Sequence, residues 1–301
     1  MVNLAGYVPY GFLFVAAFEP RLRGVAAFVA ATASGCALSL VMEALQSYLP
    51  ARVAMNVDLL FNGVGAAAGA ALGVVFAPAL ADGGPVARLR TRAFLSGAGV
   101  DAGLVILGLW LFTQLNPATL LFAAGDLRDL LAAAGRARRP EFFVAIEAFT
   151  AAANLAGVAL LLSALTRAGQ PVRVLFVGLV VLALAVKTAA FAILGHAESV
   201  LAWLTQGAQL GLGIGLAAGL AAIALPQTVR LALAAVLIMA ATVMVNLAPP
   251  NPYLAESLKV WQQGHFLNFN GLTRLVSGLW AFAALAYLIY LAARRRENAA
   301  S

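Results

Sequence analysis

Apolar runs of about 20 residues recur along the whole chain, and no other feature constrains its fold as strongly. Nine can be marked, at about 3–18, 24–45, 59–80, 93–115, 142–166, 172–195, 204–225, 229–248 and 274–293. A bilayer core of about 30 Å is crossed by roughly 20 residues of α-helix at a rise of 1.5 Å each. A membrane β-barrel would instead show alternating segments of about 10 residues, and these runs are long and continuous. Asp, Glu, Lys and Arg make up only 10% of the 301 residues, against roughly 25% in a soluble domain, too few to coat a water-exposed surface. The chain therefore reads as all-α: a polytopic helical membrane protein with about nine transmembrane helices, and the lipid bilayer is its first partner.

The net charge of +7 would suggest nucleic acid in a soluble protein. Here the basic residues sit in short connections between apolar runs, where they report orientation in the membrane, and no nucleic-acid role is expected. Placing Arg21 and Arg23 in the cytoplasm puts 11 of the 19 Lys and Arg inside and 7 outside, with Lys187 inside a span. Every short cytoplasmic connection obeys the rule. The C-terminal Arg294, Arg295 and Arg296 are then cytoplasmic, and a bacterial cytoplasmic membrane is the expected location. Arginine outnumbers lysine 17 to 2, a bias typical of GC-rich bacterial genomes. The same alternation starts the chain outside after two or three residues, which predicts a missing upstream span, either through a late start-codon assignment or through natural loss. The N-terminus lacks the basic segment and cleavage site of a secretory signal. Cys36, the single cysteine, has no partner for an intramolecular disulfide or a thiolate metal site, and no cofactor or metal is expected.

Polar chemistry concentrates in "MEALQSYLPARVAMNVDLLFNGVGAAAG", residues 42–69. Glu43 and Gln46 are i, i+3 neighbours on one helical face. Pro50 limits continuation of the helix, so the chain turns and carries Arg52 back toward Glu43 and Asp58. At 100° per residue, Asp58, Asn62, Gly65, Gly69 and Gly73 fall within an arc of about 80°, so the polar pair continues a small-residue stripe that lets helix backbones approach. A longer ladder, Gly207, Gly211, Gly215 and Gly219, recurs in the seventh run. Arg52 offers a planar fork of donors; its spacing fits both a structural clamp among Glu43, Gln46, Asp58 and Asn62 and a site that grips an anionic or hydroxyl-rich ligand.

Ionisable residues inside spans cost about 2.5–3.5 kcal/mol on insertion scales and mark candidate sites. Asp101 falls deep in the fourth run, Glu147 near the outer end of the fifth and Lys187 near the middle of the sixth. They allow either a buried ion pair that fixes packing, Asp101 with Lys187 for instance, or a path for protons or substrate. Two longer outer segments remain. Leu127, Leu130 and Leu131 share a face in 127–140, which fits an interfacial helix or a solvated basic loop. Tyr253, Trp261, Phe266 and Phe269 in 247–271 suit a membrane interface or a lid. His196 and His265 belong to no recognisable metal or triad spacing.

Glu43-x-x-Gln46, Pro50-x-Arg52, Asp58, Asn62, Gly65 and Gly69 together resemble the signature of the VanZ-like membrane protein family. Upstream, Asn3, Pro9 and Gly11 resemble that family's Asn…Pro-x-Gly segment. The resemblance covers about residues 1–80 and implies a VanZ-like domain of about three spans, followed by a further multi-span region over 81–301. It implies a helical membrane fold in the cell envelope and, for the family's namesake, an association with glycopeptide (teicoplanin) resistance; it supplies no reaction. The sequence departs from the family in lacking a usual first span and in its 220 extra residues. Three functions follow. The first is a non-enzymatic membrane protein whose outward site, Glu43, Gln46, Arg52, Asp58 and Asn62, engages an envelope component or lipid-linked headgroup. The second is a transporter or lipid-moving protein using Asp101, Glu147 and Lys187, although no inverted repeat is evident. The third, an intramembrane enzyme, lacks any nucleophile motif or phosphate loop.

Overall fold

The structure is a computed structural model that describes the backbone of residues 2–19, 21–46, 56–81, 83–128, 140–194, 200–248 and 267–300, with side chains over slightly shorter ranges. The regular elements among the described residues are all helices, and the bridge between Phe94 and Thr166 is isolated. In chain order the helices are α1 (Val2–Phe18), α2 (Gly24–Gln46), α3 (Asn56–Leu80), α4 (Pro85–Ala93), α5 (Ala98–Thr113), α6 (Pro140–Leu165), α7 (Val172–Leu194), α8 (Gln206–Ala222), α9 (Gln227–Leu247) and α10 (Leu267–Ala300). Six of them contain spans long and apolar enough to cross a bilayer: Gly24–Ala44, Leu59–Ala79, Pro140–Leu165, Val172–Ala192, Gln227–Leu247 and Leu272–Arg294. Gly6–Phe18 and Ala98–Thr113 are apolar but shorter. The chain is a multi-pass membrane protein.

Two compact units form. The first is Met1–Arg92 with His265–Phe269, and the second is Ala93–Gly264 with Asn270–Ser301.

In the first unit α1 and α2 both pack along α3. Small residues allow the close crossing of α1 and α3. Gly11 meets the backbone of Ala66 and Ala70, and Gly69 meets that of Val8. A Cβ on Gly73 would lie 2.8 Å from the Cβ of Val15. Val15, Ala27, Ala31, Ala70 and Ala77 form the small core. Bulkier apolar side chains such as Leu60, Val64 and Val75 point outward, as they do where hydrocarbon rather than water is the solvent.

The second unit is built around α6, whose residues from Ala151 to Leu165 are nearly all buried. α8 lies against it along the four glycines. Gly207 meets Val144 and Glu147, Gly211 meets Ala148 and Ala151, Gly215 meets Ala152 and Leu155, and Gly219 meets Ala159. α9 packs on another face, where Ile238 occupies the space left by Gly157. At the opposite end of α6 from Pro140, Arg167 ties the chain to the start of α5, donating from Nε to the Phe94 carbonyl (2.7 Å) and from Nη2 to Ser96 Oγ (2.9 Å).

The apolar run at 93–115 is not one helix. The chain ends α4 at Ala93, makes the bridge at Phe94 and turns at Gly97, whose φ of +123° disfavours an L side chain. α5 starts only at Ala98.

A larger departure follows α5. Residues 114–127 are coil, but not a surface loop: Leu121, Phe122, Ala123 and Ala124 are at most 3% exposed. Irregular backbone within a membrane protein must be covered by protein or line a cavity, because hydrocarbon offers its N–H and C=O groups no partner. The side chains that cover this coil form part of the candidate site. Of the two longer outer segments, 129–139 and 249–266 lie outside the described residues.

Candidate functional site

In the first unit, Asn62 lies on the face of α3 that packs inward and is 4% exposed. Its Nδ2 donates to Ser39 Oγ on α2 at 2.8 Å. Ser39 is also hydrogen-bonded to the hydroxyl of Tyr7 on α1, and Glu43, one turn beyond Ser39, lies within electrostatic range of Tyr7. Further along α1 and α2, Tyr10 and Ser34 make a second hydrogen bond. Three helices thus meet through a polar row, Tyr7–Ser39–Asn62, with half-buried Glu43 at its end. The row has unspent capacity, because the Asn62 carbonyl oxygen is buried without a hydrogen-bond partner. An orphaned buried acceptor costs about 1–3 kcal/mol, so it suits a donor on a ligand or water.

Of the five residues read from the sequence as an outward site, the structure places Glu43 and Asn62 on this row. Gln46 ends α2 and Asp58 lies in the first turn of α3, and both side chains, like Arg52 altogether, lie outside the described residues. Gly65, Gly69 and Gly73 share the buried side of α3 with Asn62. Tyr7 and Ser39 were missed in the sequence. Nothing there signals that a tyrosine and a serine 32 residues apart will meet.

In the second unit, Lys187 is fully buried. Its ammonium donates to the carbonyl oxygens of Asn116 (2.7 Å) and Thr119 (3.0 Å), with Thr119 Oγ1 at 3.4 Å. Three donors therefore meet three acceptors, all on the coil. The Phe191 ring lies 5.8 Å from the ammonium. Lys187 is five residues, about 7.5 Å, inside the end of its apolar span. Ser277, whose carbonyl accepts from the Gly125 N–H at 2.7 Å, is likewise five residues inside the α10 span. The coil therefore dips about a turn and a half below the helix ends. Asn246 secures its return: Nδ2 donates to the Gly125 carbonyl (2.6 Å) and Oδ1 accepts from the Leu127 N–H (2.8 Å). Phe122, at a φ of +58°, stacks on Trp110 with ring centroids 5.3 Å apart.

Glu147 interacts electrostatically with Lys187, but no direct ion pair joins them among the described residues. Its carboxylate is hydrogen-bonded to the Thr205 side chain, which caps α8 by accepting from the Ala208 N–H at 3.0 Å. Gly207 makes room for the carboxylate, since a Cβ there would lie 2.6 Å from Glu147 Oε2. An anion at a helix N-terminus is favoured by the helix dipole. Thr150 and Asn154 continue the same face of α6, both fully buried, and Thr150 Oγ1 and Asn154 Oδ1 have no hydrogen-bond partner. A cavity of about 40 Å³ beside the coil is walled by Thr119, Asp126, Arg128 and Ile146, among others. Asp126 and Arg128 close one side with a two-pronged ion pair, at 2.9 Å and 2.6 Å.

Asp101 does not join this group. It is an exposed residue in the first turn of α5, not deep within a span. Fifteen residues and the length of α5 separate it from Asn116, so the Asp101–Lys187 ion pair allowed by hydropathy does not form. Helix α5 begins five residues later than the apolar run, and this shift moves Asp101 to the helix end.

Residues 1–77 match the family model described as VanZ/LLP1. The VanZ-like segment is thus α1, α2 and most of α3, the three helices that carry the polar row. It makes up about a quarter of the chain. No curated protein and no solved structure matches the sequence.

Proposed function

We propose that the VanZ-like unit binds the polar head of an outer-leaflet lipid or lipid-linked envelope component. The observation that carries this reading is the row Tyr7–Ser39–Asn62, which brings three helices together around an acceptor with no internal partner. Glu43 adds a second acceptor at the end of the row, so the head it suits carries hydroxyl or amine donors. Gln46 at the end of α2, Asp58 in the first turn of α3 and Arg52 between them in sequence would complete the site. The arginine distribution supports an outward-facing connection, a cytoplasmic C-terminus and a location in the cytoplasmic membrane of a bacterium. On this reading the protein is a binding protein rather than an enzyme.

Native mass spectrometry of the detergent-purified chain tests it. A retained lipid class should be present in the wild type and lost in Asn62→Leu and Glu43→Gln, both still inserted and folded. Identical lipid retention in all three would refute the proposal.

A second reading, transport or lipid movement through the second unit, is supported by the dipping coil gripped by Lys187 and by Glu147 beside it. Broken backbone lining a cavity is a recurring feature of transporter sites. Flux or lipid scrambling in proteoliposomes that is lost in Glu147→Gln would favour it; no flux in the wild type would remove it.

A further inference from the structure

A groove of about 470 Å³ runs between α2 and α3 on the side of the first unit away from α1's tight crossing, with Thr32 and Cys36 on one wall and Leu59, Gly63, Val64 and Ala67 on the other. That volume falls within the roughly 300–1,000 Å³ of small-molecule sites. Both walls lie inside the apolar spans Gly24–Ala44 and Leu59–Ala79, so the open side faces hydrocarbon. Leu60 and Val64, at 65% and 47% exposure, form the lip. The groove is dry in chemistry as well as position. Its one hydroxyl, that of Thr32, is donated back to the Phe28 carbonyl at 2.8 Å, which leaves the groove the methyl group. Its depth comes from Gly63: a Cβ there would lie 3.0 Å from Cys36 Sγ.

One end of this groove leads to polarity. Thr32, Cys36, Ser39 and Glu43 follow one another at i, i+4, i+7 and i+11, within an arc of about 60° on α2. The groove stripe thus continues into the row that Ser39 shares with Tyr7 and Asn62. Beyond the Ser39–Asn62 pair the groove runs on from Gly63 to Ala67, about 6 Å, room for a short stretch of alkyl chain. A water-soluble ligand would make no use of it.

We infer that the groove between α2 and α3 holds one hydrocarbon chain of an outer-leaflet lipid whose donor-bearing head lies at the Ser39–Glu43 end. This rests on the headgroup site proposed above and narrows its ligand to an amphiphile that enters sideways from the bilayer.

The test uses the full chain in proteoliposomes containing phosphatidylethanolamine with a diazirine in its acyl chain. After photolysis, adducts are mapped by peptide mass spectrometry. Adducts should concentrate on Thr32–Cys36 and Leu59–Ala67, several-fold above the exposed face at Val177 and Val181. Gly63→Leu should lower groove labelling at least five-fold and leave Val177 and Val181 unchanged. Ala67→Leu, at a half-buried wall position, gives the same readout should Gly63→Leu fail to fold. Groove labelling no higher than at Val177 and Val181, or unaffected by the filling substitutions, would overturn the inference. The same experiment with the phosphatidylcholine analogue separates chain from head. Groove labelling equal for both lipids and unchanged in Glu43→Gln would refute the headgroup site and leave the chain in the groove.

Discussion

The buried charges of the second unit make a quantitative prediction. Replacing Lys187 by Met keeps most of the stem and removes the ammonium. The Asn116 carbonyl stays satisfied, because it also accepts from the Thr119 hydroxyl at 3.0 Å. The Thr119 carbonyl loses its donor at 3.0 Å, a loss of about 1–3 kcal/mol for a buried acceptor. Glu147 loses its opposing charge, and groups coupled in one buried network typically interact by about 0.5–3 kcal/mol. Removing the ammonium also removes its desolvation cost, several kcal/mol per buried ion, so each single substitution mixes contributions of opposite sign. A double-mutant cycle isolates the pair. Lys187→Met should destabilise by about 3–5 kcal/mol, the usual result of removing one member of a buried pair. Glu147→Gln keeps an oxygen for Thr205 and should cost less. The double variant should be about 1.5–3 kcal/mol more stable than the sum of the two singles predicts. Equilibrium unfolding in mixed detergent micelles, or steric trapping in bicelles, provides the free energies. Additivity to within about 0.5 kcal/mol, the behaviour of independent sites, would show that Glu147 and Lys187 do not act as a pair.

Other substitutions test the packing. Gly211→Ala and Gly213→Ala gain the same helix propensity, about 1 kcal/mol, but a Cβ at Gly211 would lie 2.6 Å from Ala151 Cβ, whereas nothing lies within 4 Å at Gly213. Gly211→Ala should therefore be less stable than Gly213→Ala by about 1–3 kcal/mol, the usual cost of overpacking, and equal unfolding midpoints would show that α8 does not lie on α6 in this way. Asn246→Leu removes the partners of the Gly125 carbonyl and the Leu127 N–H. It should cost about 2–6 kcal/mol at 1–3 kcal/mol per orphaned group; a change below 1 kcal/mol in the same unfolding assay would mean the coil is held elsewhere.

Hydropathy was enough to place α2, α3, α6, α7 and α9 to within a few residues, because a bilayer demands a long apolar run and little else satisfies that demand. It started the fourth span five residues before α5 and read α4 as a connection, since the bridge at Phe94 and the positive φ at Gly97 delay the helix without interrupting the apolar run. It also read 116–127 as an outer loop. The stretch "NPATLLFAAGD" does hold a signal, an apolar pentad between a Pro breaker and a Gly, but five residues are too few to register in a window sized for a span. In the candidate sites the sequence pointed to Glu43, Asn62, Glu147 and Lys187, each conspicuous as a polar residue within or beside an apolar run. Their partners were not visible. Ser39, Thr205 and Asn246 are ordinary single residues whose importance comes from which backbone or side chain the fold sets against them.

The cost of coil inside a bundle explains several of these polar residues without reference to any ligand. Lys187 and Asn246 between them serve the carbonyls of Asn116, Thr119 and Gly125 and the N–H of Leu127, and the Ser277 carbonyl takes the N–H of Gly125. These groups would otherwise face hydrocarbon, so their side chains are accounted for by main-chain pairing alone, and a polar residue in a span is not by itself a functional site. Other buried groups are not used up by main-chain pairing. Among the described residues they are the Asn62 oxygen in the first unit and, in the second, Trp110 Nε1, Trp203 Nε1, Arg230 Nε and Ser277 Oγ besides Thr150 Oγ1 and Asn154 Oδ1, the two that lie beside Glu147. Glu147 differs from Lys187 in one respect that matters for function. Lys187 spends all three donors on the coil, whereas the Glu147 carboxylate has two oxygens and about four lone-pair sites, of which the Thr205 side chain uses one. Any chemistry or transport in the second unit therefore has more capacity to work with at Glu147, Thr150 and Asn154 than at the lysine, and Glu147→Gln should impair it where Lys187→Arg, if folded, would act through the position of the coil.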